Sequence, residues 1–289
     1  MEPAIYVGLA ILLYFGSTFL YALRWKVVLR GFHRDASYRN LVLSSLSAIF
    51  VNNITPMARA GGEAVRVVWV NVKDRIPKSL LTASIVYERA TEAIVVTVLA
   101  IFVLAGYANA EVALVVLGIA TAASVALISR MDLVLRIIER LSKERIPKNT
   151  EKAILKKLRI GKTLAATLAI SATLWVLDIL RIAAELAAVG VKLAWAQVAT
   201  VSILNVLMGF AAVTPGGIGI IEGGLLGILT GMGLTVEDAA KVVAIERGIS
   251  FVLGTVIGGI VTGLYGGKEI WKHLRSDSRL IGFFRGSEE

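Results

Sequence analysis

Long apolar runs separated by short polar stretches make up most of this chain. Runs of about 20 apolar residues are long enough to cross the roughly 30 Å hydrocarbon core of a bilayer as helices. The pattern predicts membrane-spanning helices over residues 3–23, 80–104, 111–129, 164–188 and 239–265. We therefore expect an all-α polytopic membrane protein that forms a single membrane domain over residues 1–289.

Two further apolar stretches, about 41–70 and about 195–232, are each interrupted near the middle by a Thr-Pro dipeptide. The run from Leu41 to Ile54 would be only about 21 Å long as a helix, which is too short to span the bilayer. Irregular backbone at membrane depth is tolerated only where protein or water covers it. Two short halves around a polar turn therefore predict a re-entrant helical hairpin in each stretch.

The two Thr-Pro dipeptides belong to a duplicated pattern. In each copy a Glu follows the dipeptide after six residues, and a Glu-Arg pair begins 32 or 31 residues after the Pro. The members are Thr55, Pro56, Glu63, Glu88 and Arg89 in the first copy and Thr214, Pro215, Glu222, Glu246 and Arg247 in the second. An upstream arginine, Arg24 or Arg181, also precedes each copy at a similar spacing. The duplication predicts two repeats of span, hairpin and span, over residues 1–105 and 162–265.

Composition supports a membrane protein, and the charge pattern indicates its orientation. The chain is 56% hydrophobic and 18% charged, with a mean hydropathy of +0.76, whereas soluble domains are about half apolar and a quarter charged. The formal net charge is +10, and a membrane protein keeps its basic loops in the cytoplasm. We expect the N-terminus outside, the C-terminus in the cytoplasm, and no nucleic-acid partner.

The basic loops also define the connecting segments. Residues 106–161 are predicted to hold one connecting transmembrane helix and a basic cytoplasmic segment of one or two amphipathic helices, and residues 266–289 a basic cytoplasmic tail. Arg24, Trp25 and Lys26 are predicted to end the first span at the membrane interface. Because the single extra span reverses the second copy, the two repeats are expected to form an inverted-topology pair, which is typical of alternating-access transporters.

Both copies of the pattern place ionisable residues inside the membrane. Such residues are costly there, and they usually line a cavity and pair with one another. In each copy the hairpin Glu is expected to reach the Arg of the following helix. Two interpretations stay open: the pairs are static salt bridges, or they act as gates and proton carriers.

The Thr-Pro dipeptides also suggest an anion site. A Thr hydroxyl can cap a free backbone N–H, and Pro is favoured at the first helical position. A half-helix that begins there would direct its N–H groups and positive dipole end at an anion. The candidate substrate-binding residues are Asn53, Thr55, Pro56, Arg59, Gly62, Glu63, Arg66, Glu88, Arg89, Thr214, Pro215, Gly216, Gly217, Gly219, Glu222, Glu246 and Arg247.

Enzyme chemistry has little support in the sequence. The chain has no Cys and only two His, both in basic loops, which excludes thiolate, His-cluster and Cys-nucleophile sites. It also has no nucleophile motif and no Walker-type phosphate loop. We expect no catalytic residue, no metal and no cofactor.

At these residues the chain resembles a known family. The motifs are Asn53-x-x-Pro56, Gly62-Glu63-x-x-Arg66, Glu88-Arg89, Thr214-Pro215-Gly216-Gly217-x-Gly219-x-x-Glu222 and Glu246-Arg247. They look like those of the lysylphosphatidylglycerol synthase transmembrane region, the flippase-like domain of the multiple peptide resistance factor, and the match covers roughly residues 5 to 275. Glu92 stands where members often carry Asp. The chain has no room for the soluble aminoacyl-transferase domain, so we do not expect it to make a lysyl-lipid.

The resemblance implies a flippase or scramblase that moves a charged-head-group, phosphate-containing lipid between leaflets. The alternatives are a proton-coupled carrier of polyprenyl phosphate or a small anionic solute, and a non-transport partner of a lipid-linked glycosyltransferase. The expected partners are membrane lipids, either anionic or zwitterionic phospholipid or polyprenyl phosphate. A glycosyltransferase or lipid-modifying enzyme is a further candidate, since some archaeal relatives resemble this domain fused to such an enzyme.

Overall fold

The described part of the chain is helical. The computed structural model describes residues 2–56, 60–104, 111–142 and 161–266, and within these ranges it contains no strand. The helices are α1 (Pro3–Gly31), α2 (Tyr38–Ile54), α3 (Ala60–Asp74), α4 (Lys78–Leu104), α5 (Glu111–Ser129), α6 (Met131–Ser142), α7 (Lys162–Ala188), α8 (Trp195–Ala211), α9 (Ile220–Gly231) and α10 (Val236–Gly266). The all-α prediction is confirmed for these residues.

Three of these helices, α1, α7 and α10, are long and apolar enough to cross a membrane. Helix α4 has 27 residues and is also long enough, but it carries Glu88, Arg89 and Glu92 within its length. Helix α10 is not uniform, because π-helical turns at Gly248–Leu253 and Thr262–Gly266 interrupt its α-helical hydrogen bonding. The first π-helical turn directly follows the second Glu-Arg pair, and such turns are frequent at functional sites.

The two interrupted stretches form two pairs of short helices. Helices α2 and α3 have 17 and 15 residues, and α8 and α9 have 17 and 12. Each helix is shorter than the roughly 20 residues that a span requires. Helix α2 ends at Thr55, whose extended backbone (φ −111°, ψ 140°) is the conformation that a following proline favours. The breaks therefore occur at the predicted dipeptides.

The prediction that α1 ends at an interface anchor is wrong. Helix α1 continues to Gly31, and both Arg24 and Trp25 lie within it with no exposed surface. The indole Nε1 of Trp25 donates to Ser84 Oγ at 2.8 Å. Carboxylates of α4 lie beside the buried Arg24, and their charge offsets part of the cost of its leaving water.

The N-terminal half has the larger hydrophobic core, to which all six helices from α1 to α6 contribute. Helix α6 contributes one face of its surface, on which Met131, Leu135 and Ile138 are buried at helical spacing. This agrees with the predicted amphipathic helix after residue 130. The rest of that predicted segment, residues 143–160, lies outside the described residues, as do the tail residues 267–289.

Helix α2 of the first pair packs closely against α10, near the other end of the chain. A Cβ on Gly258 would lie 2.8 Å from Phe50 Cβ and 3.0 Å from the Phe50 backbone nitrogen. Asn53 strengthens the contact, because its Nδ2 donates to the carbonyls of Ser250 and Phe251 and, at 2.9 Å, to Thr255 Oγ1. The N-terminal and C-terminal parts of the chain thus share one packed interior.

Candidate functional site

The two Thr-Pro turns lie against each other. A Cβ built on Gly216 would lie 3.0 Å from the carbonyl oxygen of Asn53, so the second turn contacts the end of α2 directly. Beside this contact is a cavity of about 310 Å³. Its wall includes Thr55 from the first turn and Thr214 from the second.

Most of the candidate residues line this cavity. Those in its wall are Asn53, Thr55, Gly62, Glu63, Arg66, Arg89, Thr214, Gly216, Gly217, Glu246 and Arg247. The other described candidates, Pro56, Glu88, Pro215, Gly219 and Glu222, lie outside its wall. Arg59 falls outside the described residues. The two halves of the duplicated pattern therefore contribute to one common cavity.

The expected threonine cap is absent at the second turn, where the prediction was wrong. At the first turn the backbone N–H groups that Thr55 would cap belong to residues 57–59, which lie outside the described residues. The Thr55 hydroxyl donates to the carbonyl of Val51 at 2.6 Å. The Thr214 hydroxyl donates to the carbonyl of Ile218 at 2.9 Å. The Val51 carbonyl also accepts the Thr55 backbone N–H, so the Thr55 hydroxyl adds a second hydrogen bond at the end of α2.

The second half-helix also begins later than predicted. Pro215 opens a 3₁₀ turn over Pro215–Gly217, and α9 starts only at Ile220. Gly216 and Gly219 adopt left-handed backbone with φ of 58° and 84°, a conformation in which a side chain is strained. Glycine is needed at these two positions for the path of the backbone.

Side chains cap both short helices after the turns. The Gly62 N–H in the first turn of α3 donates to Asn52 Oδ1 at 2.8 Å, across the hairpin from α2. The Gly219 N–H at the start of α9 donates to Glu222 Oε2 at 2.7 Å. Each cap satisfies one of the backbone donors that a helix N-terminus leaves free.

Arginine and glutamate side chains from α1, α3 and α4 alternate in a ring, which we call the Arg–Glu ring. Glu88 contacts Arg24 at 3.3 Å and Arg66 at 2.8 Å. Glu63 contacts Arg66 at 2.7 Å and also contacts Arg89. Each of these carboxylates therefore bridges two guanidinium groups.

Glu92 closes the Arg–Glu ring. It contacts Arg89 at 2.6 Å and Arg24 at 3.4 Å, so that three arginines and three glutamates alternate and their charges cancel. The Tyr21 hydroxyl accepts hydrogen bonds from Arg66 Nη1, at 2.8 Å, and from Arg89 Nη2. The Arg66 guanidinium also lies 4.6 Å from the centre of the Tyr21 ring.

The members of the Arg–Glu ring differ in exposure. Arg24 and Glu88 have no exposed side-chain surface, and Arg66 has 1%. Arg89 and Glu63 are 29% and 23% exposed, and both line the cavity. Arg24 and Glu88 are therefore sealed in protein, Arg66 borders the cavity with almost no exposed surface, and Glu63, Arg89 and Glu92 face the cavity.

The C-terminal half has a second group of charges, which we call the Arg181 cluster. Arg181 on α7 contacts Asp178 at 2.9 Å, Glu185 at 2.7 Å and Glu246 of α10 at 3.6 Å. Asn205 Nδ2 of α8 donates to Glu246 at 3.2 Å. One buried guanidinium thus faces three carboxylates.

The expected contact between each hairpin Glu and the next Glu-Arg pair is present in both halves. Glu63 contacts Arg89 in the N-terminal half. Glu222 accepts a hydrogen bond from Arg247 Nε at 2.7 Å in the C-terminal half, where Arg247 Nη2 also donates to the Gly216 carbonyl at 2.9 Å. The upstream arginines agree as well, since each contacts the Glu of the pair in its own half.

The two charge groups differ at particular positions. Arg66 stands three residues after Glu63, whereas the corresponding residue after Glu222 is the buried Leu225. Three residues before Arg24 is Tyr21, but three residues before Arg181 is Asp178. The C-terminal group therefore lacks one arginine and gains carboxylates.

Two parts of the site were missed by the sequence reasoning. Tyr21 lies at the centre of the Arg–Glu ring, and Arg24 is one of its members. The signal for Arg24 was that Arg24 and Arg181 precede the two Thr-Pro dipeptides at similar spacing. No repeat marks Tyr21, because its counterpart in the C-terminal half is a different residue type.

Comparison with known proteins shows the family of this chain. Residues 3–258 match the family described as Lysylphosphatidylglycerol synthase TM region. The chain belongs to this family. The expected family resemblance is therefore confirmed over nearly the whole chain, including both Thr-Pro turns and both Glu-Arg pairs.

Similar proteins are known from archaea, and each is named as a UPF0104 membrane protein. The one from Pyrococcus horikoshii is 28% identical, over 89% of this chain and 86% of its own length. The one from Methanocaldococcus jannaschii is 24% identical, over 88% and 83%. One from Methanothermobacter thermautotrophicus is 26% identical, over 88% and 83%. No solved structure matches the chain significantly.

Proposed function

We propose that this protein moves a lipid with a phosphate-containing head group between the leaflets of the membrane. The observation that carries the proposal is the cavity between the two Thr-Pro turns, which is lined by charged residues of both halves. Its volume of about 310 Å³ lies at the small end of the range for ligand pockets and suits a head group without its acyl chains. A non-transporting scaffold would not need such a cavity.

Two cavity-side arginines are proposed to receive the head group. Arg89 and Arg247 each pair with the hairpin Glu of their own half, and both line the cavity. A phosphate can replace a carboxylate on a guanidinium with similar geometry. The head group would displace Glu63 or Glu222 from its arginine, and the freed carboxylate would favour the alternate state.

The sealed pairs have a different role in this proposal. Glu88 and its two arginines have almost no exposed surface, so exchange with a head group would first require the ring to open. We assign these contacts to holding α1, α3 and α4 together. In this proposal the contacts of Glu88 are static salt bridges, whereas the contact of Glu63 with Arg89 exchanges with the head group.

Alternating access would follow from the duplicated architecture. In our proposal the two helix pairs enter from opposite faces of the membrane as re-entrant hairpins, and the repeats rock about the contact between Gly216 and Asn53. Matching contacts in the two halves support this arrangement, because each hairpin Glu contacts the Glu-Arg pair that follows it. The positions of the basic loops support our proposal that the C-terminus lies in the cytoplasm.

The test is lipid transfer in liposomes by the purified protein. Fluorescent anionic phospholipid, zwitterionic phospholipid and polyprenyl phosphate are followed between leaflets, and uptake of free phosphate is measured in parallel. Arg89→Lys and Arg247→Lys should each slow transfer on the order of tenfold, because one ammonium cannot serve the two partners that each guanidinium contacts. Arg130→Lys, at an exposed position, is the matched control.

The outcomes separate the candidate functions. Phosphate uptake without lipid transfer would replace the flippase with a solute carrier. Wild-type protein that transfers none of the lipids and takes up no phosphate would contradict transport altogether. Unchanged transfer in folded Arg89→Lys and Arg247→Lys variants would reject the exchange step and leave both arginines as structural.

A further inference from the structure

The Arg181 cluster contains buried polar atoms without partners. Glu185 is fully buried and Glu246 is 3% exposed. Oε1 of each contacts the same nitrogen, Arg181 Nη1, at 2.7 Å and 3.6 Å. Oε2 of each has no hydrogen-bond partner among the described residues. An unpaired, ionised oxygen in such surroundings is costly.

The charges around these two carboxylates do not balance. On α7, Arg181 also binds Asp178, which is 25% exposed and accepts a hydrogen bond from Ser202 of α8. Arg247 of α10 is already paired with Glu222 of α9. The described cluster and its neighbouring pair therefore hold four carboxylates against two guanidinium groups, whereas the Arg–Glu ring holds three against three.

The remaining groups that face the cluster are neutral. Tyr14 of α1 lies with its ring 5.8 Å from the Arg181 guanidinium. Asn205 of α8 donates to Glu246 Oε1. In the N-terminal half Glu88 contacts two arginines, Arg24 and Arg66. The residue that corresponds to Arg66 in the C-terminal half is Leu225, so Glu246 has no second arginine at that place.

We propose that Glu185 and Glu246 form a proton-binding site and share one proton at neutral pH. The proton converts one carboxylate of the pair to a carboxylic acid, and the other stays ionised against Arg181. Two carboxylates on one guanidinium cannot both ionise cheaply when they are buried. Glu246, Asp178 and Arg181 all line the cavity, so the proton is exchanged with water through it.

The site goes beyond the proposed lipid transport and does not depend on it. The ligand of this site is a proton. Release of the proton adds one negative charge to the wall of the cavity. The N-terminal half has no equivalent, because Val28 stands four residues after Arg24, at the place of Glu185.

The test is infrared spectroscopy of the protein in lipid at neutral pH, because a protonated carboxyl has a C=O stretch distinct from that of a carboxylate. Wild-type protein should show this band, and it should shift in D₂O. Glu185→Gln and Glu246→Gln should each abolish it, since the amide becomes the neutral partner and the remaining carboxylate ionises. Glu237→Gln, at an exposed position in α10, is the control and should keep the band.

Two results would overturn the proposal. The first is the absence of a protonated-carboxyl band in wild-type protein at neutral pH, which needs no variant to fold. The second is a band that survives either substitution in folded protein. Melting temperatures give an independent readout: both Gln variants should melt within a few degrees of wild type, and a large loss in both would show that each residue is needed as an anion.

Discussion

At the scale of single residues, the buried carboxylates of the Arg–Glu ring depend on their contacts with arginine to offset the cost of burial. Glu88 has two, Arg24 and Arg66, and none of the three has more than 1% exposed side-chain surface. Removing one member of a buried ion pair leaves the others uncompensated, which typically costs about 3–5 kcal/mol. The sealed side of the Arg–Glu ring should therefore dominate the response of this region to mutation.

Glu88→Gln should accordingly lower the free energy of unfolding by about 3 kcal/mol or more, because the amide keeps the shape but loses the charge. The measurement is thermal or denaturant unfolding in detergent at neutral pH. Glu237→Gln is the matched control, since Glu237 pairs with Lys241 at the surface and such pairs contribute less than about 1 kcal/mol. Equal stabilities of the two variants would contradict the structural role given to Glu88.

The sequence correctly predicted contacts between buried charged residues, because an ionised group inside a protein needs a partner of opposite charge. Buried charges must be paired, so the repeated Glu and Glu-Arg spacing predicted the contacts of Glu63 with Arg89 and of Glu222 with Arg247. Arg24 and Trp25 were misplaced because the same residue types also anchor helix ends at an interface. Only the packing of α1 against α4 decides between these two environments, and that packing is not readable from a local pattern.

At the scale of elements, the contact between α2 and α10 depends on a glycine. A Cβ on Gly258 would press against the backbone and side chain of Phe50, and backbone atoms cannot move aside as a flexible side chain can. Small residues of this kind let helices in a membrane approach closely. The contact also positions the end of α2, from which Asn53 reaches α10.

Gly258→Ala should lower the melting temperature, in line with a cost of about 1–3 kcal/mol for overpacking. Gly227→Ala in α9 is the control, because its Cβ would meet nothing within 4 Å and alanine favours a helix by up to about 1 kcal/mol. The check is to compare thermal unfolding of the two variants in the same detergent. A Gly258→Ala variant as stable as Gly227→Ala would show that α2 and α10 separate without cost.

The breaks between elements were predictable, but their geometry was not. Proline after Thr55 forces an extended residue, so α2 must end there. The start of α9 at Ile220 depends on left-handed backbone at Gly216 and Gly219, which the sequence permits but does not require. The cap predicted at Thr214 is absent because its hydroxyl donates to the Ile218 carbonyl within the turn, an alternative that the sequence does not exclude.

At the scale of the whole molecule, the proposed inverted arrangement makes a sharp topological prediction. The loop after α3 should face the cytoplasm and the start of α10 should face outward. The native chain has no Cys, so single cysteines report without background. Lys73→Cys and Glu237→Cys, both at exposed positions, should react with a membrane-impermeant reagent from opposite sides. Labelling of both from one side would contradict the inverted arrangement.

The contact of Asn53 with α10 also has a consequence for biosynthesis. The acceptors of its side chain lie 197 to 202 residues further along the chain. At about 5–20 residues per second, a ribosome needs roughly 10–40 s to make that length. During this interval the first hairpin has already been synthesised, yet its amide and the Phe50 surface have nothing to pack against. The contacts of the first hairpin with α10 can therefore form only after the last helix has been synthesised. A chain truncated before Ser250 would lack these acceptors for the Asn53 amide.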